Sequence, residues 1–179
     1  MNSIEPFLQL ISGSLTANGY VIQTRPVLEG VRGVLYARSP QPYSLLITKI
    51  IDHFLFLSWD DKLFGRQDQL IVTYKSFNRY VNRQFTIPHW MRMTIPNMAL
   101  IVLSESGFDE DTLKFAQSTF MVPFKGGEVG QFFLIDLKEK STICHRAYAY
   151  KQYGAAPLYH TQNFLLSIIN GCLQNLNSE

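Results

Sequence analysis

The chain is poor in the residues that announce a chemistry. Its 179 residues include two cysteines, Cys144 and Cys172, widely separated and outside any paired-Cys motif. Neither a disulfide framework nor a zinc ribbon is indicated, and a reducing cytoplasm is the expected setting. Charge is scarce as well, at 17% of residues, and nearly balanced at a formal +2. That is far from the basic footprint of a protein held on nucleic acid mainly through phosphates. Little charge combined with 46% apolar residues is also the reverse of a disordered composition, so the chain is expected to fold unaided. Long apolar runs are missing. The longest, such as Met98–Leu103, are strand-sized against the roughly 20 residues a membrane-spanning helix needs. The opening Met1-Asn2-Ser3-Ile4-Glu5-Pro6 has no Lys or Arg ahead of apolar residues and no small-residue cleavage pattern, so no secretory signal is expected.

Aromatic residues are what the chain has in quantity, at 13%. They are expected to fill one core and to leave some apolar surface for a partner. Apolar Ile4, Phe7, Leu8, Ile11 and Leu15 recur at helical spacing, with Ser3 before them and Asn18-Gly19 after; the spacing predicts a helix over Ile4–Ala17. Strands are expected at Tyr20–Leu28, Gly33–Ser39, Tyr43–Ile51 and His53–Trp59, an antiparallel meander broken by Gly and Pro signals. Leu70, Tyr74, Phe77 and Val81 then mark a helix within Asp68–Phe85. Met98–Leu103, bounded by Pro96-Asn97 and Ser104–Gly107, suits a buried and parallel strand.

Asp109-Glu110-Asp111 suits the positive end of a short helix reaching Gln117. A short strand at Met121–Phe124, a turn over Lys125–Gly130, and a hairpin of Gln131–Leu137 with Thr142–Tyr150 are expected next. The last helix runs over Leu158–Leu176. Its seam of Leu165, Ile169, Cys172 and Leu176 is widened by Phe164 and Ile168, a face broad enough to be deeply buried or shared with a second copy. No repeat or linker divides the chain. The reading is one domain over 1–179, α/β or α+β: a mixed central sheet with an N-terminal antiparallel meander, flanked by about four helices.

Over residues 3 to 103 the order helix, three strands, helix, buried strand resembles the core of restriction-endonuclease-like proteins. In that family an acidic residue and a Glu-x-Lys unit on adjacent strands hold a divalent metal. The corresponding stretches are Arg32-Gly33-Val34-Leu35-Tyr36 and Ser44-Leu45-Leu46-Ile47-Thr48-Lys49. Lys49 matches, whereas Gly33 and Ile47 supply no side-chain oxygen where a hard cation wants several. The resemblance thus implies a degenerate metal site.

Elsewhere, Asp136-Leu137-Lys138 has the Asp-x-Lys spacing at the end of an apolar strand. Residues two apart on a strand share a face, so Asp136 and Lys138 are the candidate catalytic pair, with Mg²⁺ as the cofactor and Glu128 or Asp52 as further ligands if the fold gathers them. Against this stands the simpler reading of a solvated hairpin end. Lys75, Arg79 and Arg83 recur every fourth residue, a basic stripe for phosphates or an acidic partner, or else an ordinary solvated helix face. Lys125–Gly130 lacks the spacing of a phosphate loop and precedes a strand. Cys144-His145 and Asp52-His53 are strand neighbours that point to opposite faces, which argues against a nucleophile and base pair.

Two functions follow as expectations. The first is a non-catalytic interaction or regulatory protein that self-associates or binds a protein partner. The alternative is a metal-dependent nuclease or nucleic-acid-processing factor.

Overall fold

A computed structural model of the chain describes residues 3–45, 48–59, 67–86, 94–117, 129–144 and 156–176. Helix α1 (Ile4–Ala17) is followed by strands β1 (Val21–Thr24), β2 (Val27–Leu28), β3 (Val31–Arg32), β4 (Leu35–Arg38), β5 (Tyr43–Leu45) and β6 (Thr48–Ser58). Then come α2 (Gln67–Arg83), β7 (Thr94–Ser104), α3 (Glu110–Gln117), β8 (Val129–Asp136), β9 (Ser141–Cys144) and α4 (Ala156–Asn175). Seven strands form one mixed sheet in the order β1-β4-β6-β7-β8-β9, with β5 also paired to β6, and β2-β3 form a small separate hairpin. The central β6, β7 and β8 are parallel, and every other pairing is antiparallel. The expected α/β architecture with its N-terminal meander is the one observed, with four helices among the described residues.

Both faces of the sheet are covered, which explains the continuous apolar runs of β6 and β7. Even-numbered Phe54 and Phe56 of β6 join Ala99, Ile101, Phe133 and Ile135 beneath α1 and α4. Odd-numbered Leu55 and Leu57 join Leu100, Val102, Phe132 and Leu134 beneath α2 and α3. Each fully buried Leu, Ile or Phe contributes roughly 1.5–3 kcal/mol of transfer free energy, so these two layers are the main source of stability. The broad apolar face of α4 is used inside the chain: Leu165, Ile169, Cys172 and Leu173 are buried, with Phe164, Ile168 and Leu176 packed at the margin of the same cluster.

Several expected boundaries move. The strand at Tyr20–Leu28 divides into β1 and β2, because Arg25 turns the backbone to positive φ ahead of Pro26. The strands placed at Tyr43–Ile51 and His53–Trp59 become β5 and one unbroken β6, so Asp52-His53 lies inside a strand. β7 starts at Thr94 and runs through Pro96. Its pairing with β8 begins only at Asn97, so the missing amide hydrogen of Pro96 falls where no β8 ladder bond is described. Val129 and Gly130 belong to β8, the remainder of the Lys125–Gly130 turn and the Met121–Phe124 strand lie outside the described residues, and β9 is described only as far as Cys144.

Two glycines record close packing. A Cβ at Gly33 would sit 2.6 Å from Leu55 Cδ1 and 2.9 Å from Pro26 Cγ, so the position where the restriction-endonuclease-like pattern would carry an acid admits no side chain here. A Cβ at Gly130 would collide with the Tyr74 ring, which lets α2 lie directly on β8.

Candidate functional site

α1 ends as its Asn18-Gly19 pair requires. Gly19 takes φ +84°, and the amides of Gly19 and Tyr20 return to the carbonyls of Thr16 and Leu15. That reversal carries Tyr20 over the sheet. Its ring stacks on Phe54 at 5.2 Å between centroids and on Phe164 of α4 at 5.6 Å, and its hydroxyl donates to Asp52 Oδ2 at 2.7 Å. Asp52, on the α1/α4 face of β6, is only 2% exposed. Asn97 of β7, its register neighbour, donates from Nδ2 to Asp52 Oδ1 at 2.8 Å, and Thr161 of α4 donates to the same oxygen at 3.3 Å. Asn97 Nδ2 also donates to Thr161 Oγ1 at 2.6 Å.

The segment after α1, β7 and α4 thus each deliver one side chain to a buried carboxylate of β6. Burying such a charge is costly unless several donors compensate, and three side-chain donors meet it here. The β4–β5 junction is pinned to the same residue: the Ser39 amide donates to the Asp52 carbonyl, and the Asp52 amide donates to Ser39 Oγ. Over this network opens a cleft of about 290 Å³ between the end of α1, the Ser39–Gln41 turn and the first turns of α4; Asn18, Tyr20, Gln41, His160 and Phe164 stand in its walls, with Asp52 and Thr161 also lining it. The arrangement holds a carboxylate in fixed orientation beside an aromatic wall and offers hydrogen-bonding groups around the rim.

The opposite face carries a second polar set. His53 is fully buried, and Tyr36 Oη lies 2.6 Å from its Nδ1. Burial, aided by the positive charge of Arg38, pushes the imidazole pKa down to about 3. Burial likewise pushes the Tyr36 hydroxyl up to about 12, against the opposing hydrogen bond of the Gln84 side chain. Both are neutral at physiological pH.

Asp136 ends β8, and its Oδ1 accepts the Lys138 and Glu139 amides at 2.9 Å each. The carboxylate caps the β8–β9 turn, while Lys138 lies beyond the strand and is exposed; the strand-face argument for pairing the two does not apply. Asp52 sits in register with Asn97 and Val129, seven residues before Asp136 along β8, or roughly 23 Å at strand rise. It cannot join Asp136 at one metal, and Glu128 lies outside the described residues. Among the described residues no group of three or more His, Cys, Asp or Glu side chains gathers at metal-binding distance. One turn-capping carboxylate and a cation do not fit Mg²⁺, which takes an octahedron of oxygens.

Lys75, Arg79 and Arg83 are all exposed on α2. Arg83 forms an ion pair with Glu29 of the β2–β3 turn, and Arg79 donates to Ser76 Oγ at 3.0 Å, which leaves Lys75 as the cation of the stripe with no such bond among the described residues. Lys49 faces solvent opposite Ser44, and Ile47 lies outside the described residues. Cys144 accepts from Gln162 Nε2 at 3.4 Å, and burial raises its thiol pKa, the reverse of an activated nucleophile.

Sequence reading treated Asp52 only as an outlying ligand and missed Tyr20, Asn97 and Thr161. The signal was present as an acid and an amide inside otherwise apolar runs, at Asp52 within Ile50–Leu57 and Asn97 before Met98. No helix among the described residues is long and apolar enough to cross a membrane. No family model, curated protein or solved structure matches the chain.

Proposed function

We propose that the chain is a non-catalytic regulatory protein that binds a small polar molecule in the cleft over Asp52, with an N–H-bearing or cationic group of that molecule turned toward the carboxylate. The observation that supports this is a carboxylate 2% exposed that nonetheless lines an open cleft. Such a group is expensive to keep in a fold, and its worth here is positional. Its oxygens are held by Tyr20, Asn97 and Thr161, an arrangement that fixes their orientation for recognition. The stacked Tyr20 and Phe164 rings add a π-face that favours a cation.

Ligand-observed NMR of the full chain against a library of small amines, with neutral isosteres beside them, tests the reading. Amine-bearing compounds are expected to bind, and Phe164→Trp, which enlarges the ring in the cleft wall and leaves Asp52, Asn97 and Thr161 themselves unaltered, is expected to abolish binding. No binder at millimolar concentration, or binders indifferent to Phe164→Trp, refutes it.

A further inference from the structure

Arg38 and His53 face each other across β4 and β6 as register partners. They share the α2 side of the sheet, since Tyr36, two residues before Arg38, belongs to that layer with Leu55. Directly opposed residues bring their Cβ atoms to about 5 Å. Arg38 Nε and His53 Nε2 are both buried, and neither has a hydrogen-bond partner. Their proton states can be read from the surrounding bonds. Gln84 lowers the Tyr36 pKa, as a donor to the phenolic oxygen does. Where the Tyr36 hydroxyl donates to His53 Nδ1, the imidazole carries its own proton on Nε2. In that tautomer two register partners each bury an N–H donor with no acceptor among the described residues.

Each orphaned donor costs about 1–3 kcal/mol, more for a charged group. Something with acceptors must complete the pair. A single water would take both N–H bonds on its lone pairs, yet its two protons would then need acceptors of their own. An oxyanion has only acceptors and balances the Arg38 charge as well. Lys49, on the same face of β6 and exposed, adds positive charge on the side from which an anion would come. Arg38 as a residue is half-buried and adjoins the exposed Pro40–Pro42 turn.

We propose that Arg38 Nε and His53 Nε2 form the floor of a site for one small oxyanion, a phosphate or a carboxylate group. The site lies on the face of the sheet opposite the Asp52 cleft and is independent of it.

Histidine side-chain ¹H–¹⁵N NMR of the full chain, titrated at constant ionic strength against chloride, tests this with two probes. Inorganic phosphate and acetate are used separately, so that response to phosphate alone marks a phosphoryl site and response to both marks a general oxyanion site. The expected result is a saturable shift of the His53 Nε2 resonance. Arg38→Met, which keeps the side-chain stem, is expected to weaken binding roughly tenfold or more, and Arg38→Lys to weaken it as well because Nε is lost; backbone spectra confirm that each variant is folded. A His53 resonance that moves with neither probe at tens of millimolar identifies a trapped water and overturns the proposal, and this arm needs no variant. Unchanged affinity in folded Arg38→Met also overturns it.

Discussion

Acidification from pH 7 to pH 5 should destabilise the protein through His53 in particular. The imidazole is fully buried, and burial first, then Arg38, holds its folded pKa near 3 against 6.5 when exposed. Between those two values the unfolded chain binds a proton that the folded chain does not. The stabilisation is therefore complete above pH 6.5 and is lost as the pH falls toward 3. One pH unit corresponds to about 1.4 kcal/mol, so the 1.5 units from 6.5 to 5 remove about 2 kcal/mol, a substantial share of a typical domain's stability. Tyr36 and Arg38 of β4 face the ring, and Tyr80 of α2 packs edge-on against Tyr36. Tyr36, its hydroxyl pushed up to about 12, keeps its proton throughout this window.

Urea unfolding followed by circular dichroism, in a chloride medium at intervals from pH 7 to 5, measures the loss. His53→Gln supplies the control, because its amide can still accept from Tyr36 but cannot titrate. Contributions from the other histidines and the carboxylates cancel in the comparison. The wild-type curve should fall below that of His53→Gln, normalised at pH 7, by about 2 kcal/mol at pH 5. Parallel curves would refute the assignment of His53 as a buried neutral ring.

Gly130→Ala should cost at least about 2 kcal/mol, since the new methyl meets the Tyr74 ring and either α2 or β8 must shift; Gly130→Ala with Tyr74→Phe should recover part of it, because the displaced hydroxyl is then gone. Asp136→Ala should lower stability by about 1 kcal/mol through loss of the bonds to Lys138 and Glu139. It should leave amine and phosphate titrations unchanged, and a change in either would contradict the placement of Asp136 far from both proposed sites.

The helices were legible because their apolar residues recur with the period of one helix face, and Phe7, Ile11 and Leu15 or Leu70, Tyr74, Phe77 and Val81 are the residues buried. β6 was read as two strands because an acid followed by a histidine looks like a turn; in the fold, each is satisfied by side chains from other elements. Pro96 marked a boundary for the same local reason, whereas β7 runs through it in register with Ile51 of β6. Asp136 misled in the opposite direction. A turn-capping aspartate and a strand-end catalytic one share a sequence pattern and differ only in where the neighbouring amides point. The cleft was least legible, because Tyr20, Asp52, Asn97 and Thr161 come together from four distant segments, and no local spacing encodes that meeting.

The packing of α1 bears on how the chain reaches this fold. Its apolar face is closed by α4, where Ser14 Oγ approaches Cys172 Sγ across 158 residues of sequence, and its N-terminal amides are received by Glu105 at the end of β7. During synthesis α1 leaves the ribosome early, yet its cap arrives about a hundred residues later, as the Ser3–Glu105 separation of 102 implies, and its lid later still. Contacts so distant are slow to form, so the α4 side of the Phe7, Ile11 and Leu15 face closes after the part that meets Leu35, Phe54 and Phe56. α1 is begun first in this fold and completed last.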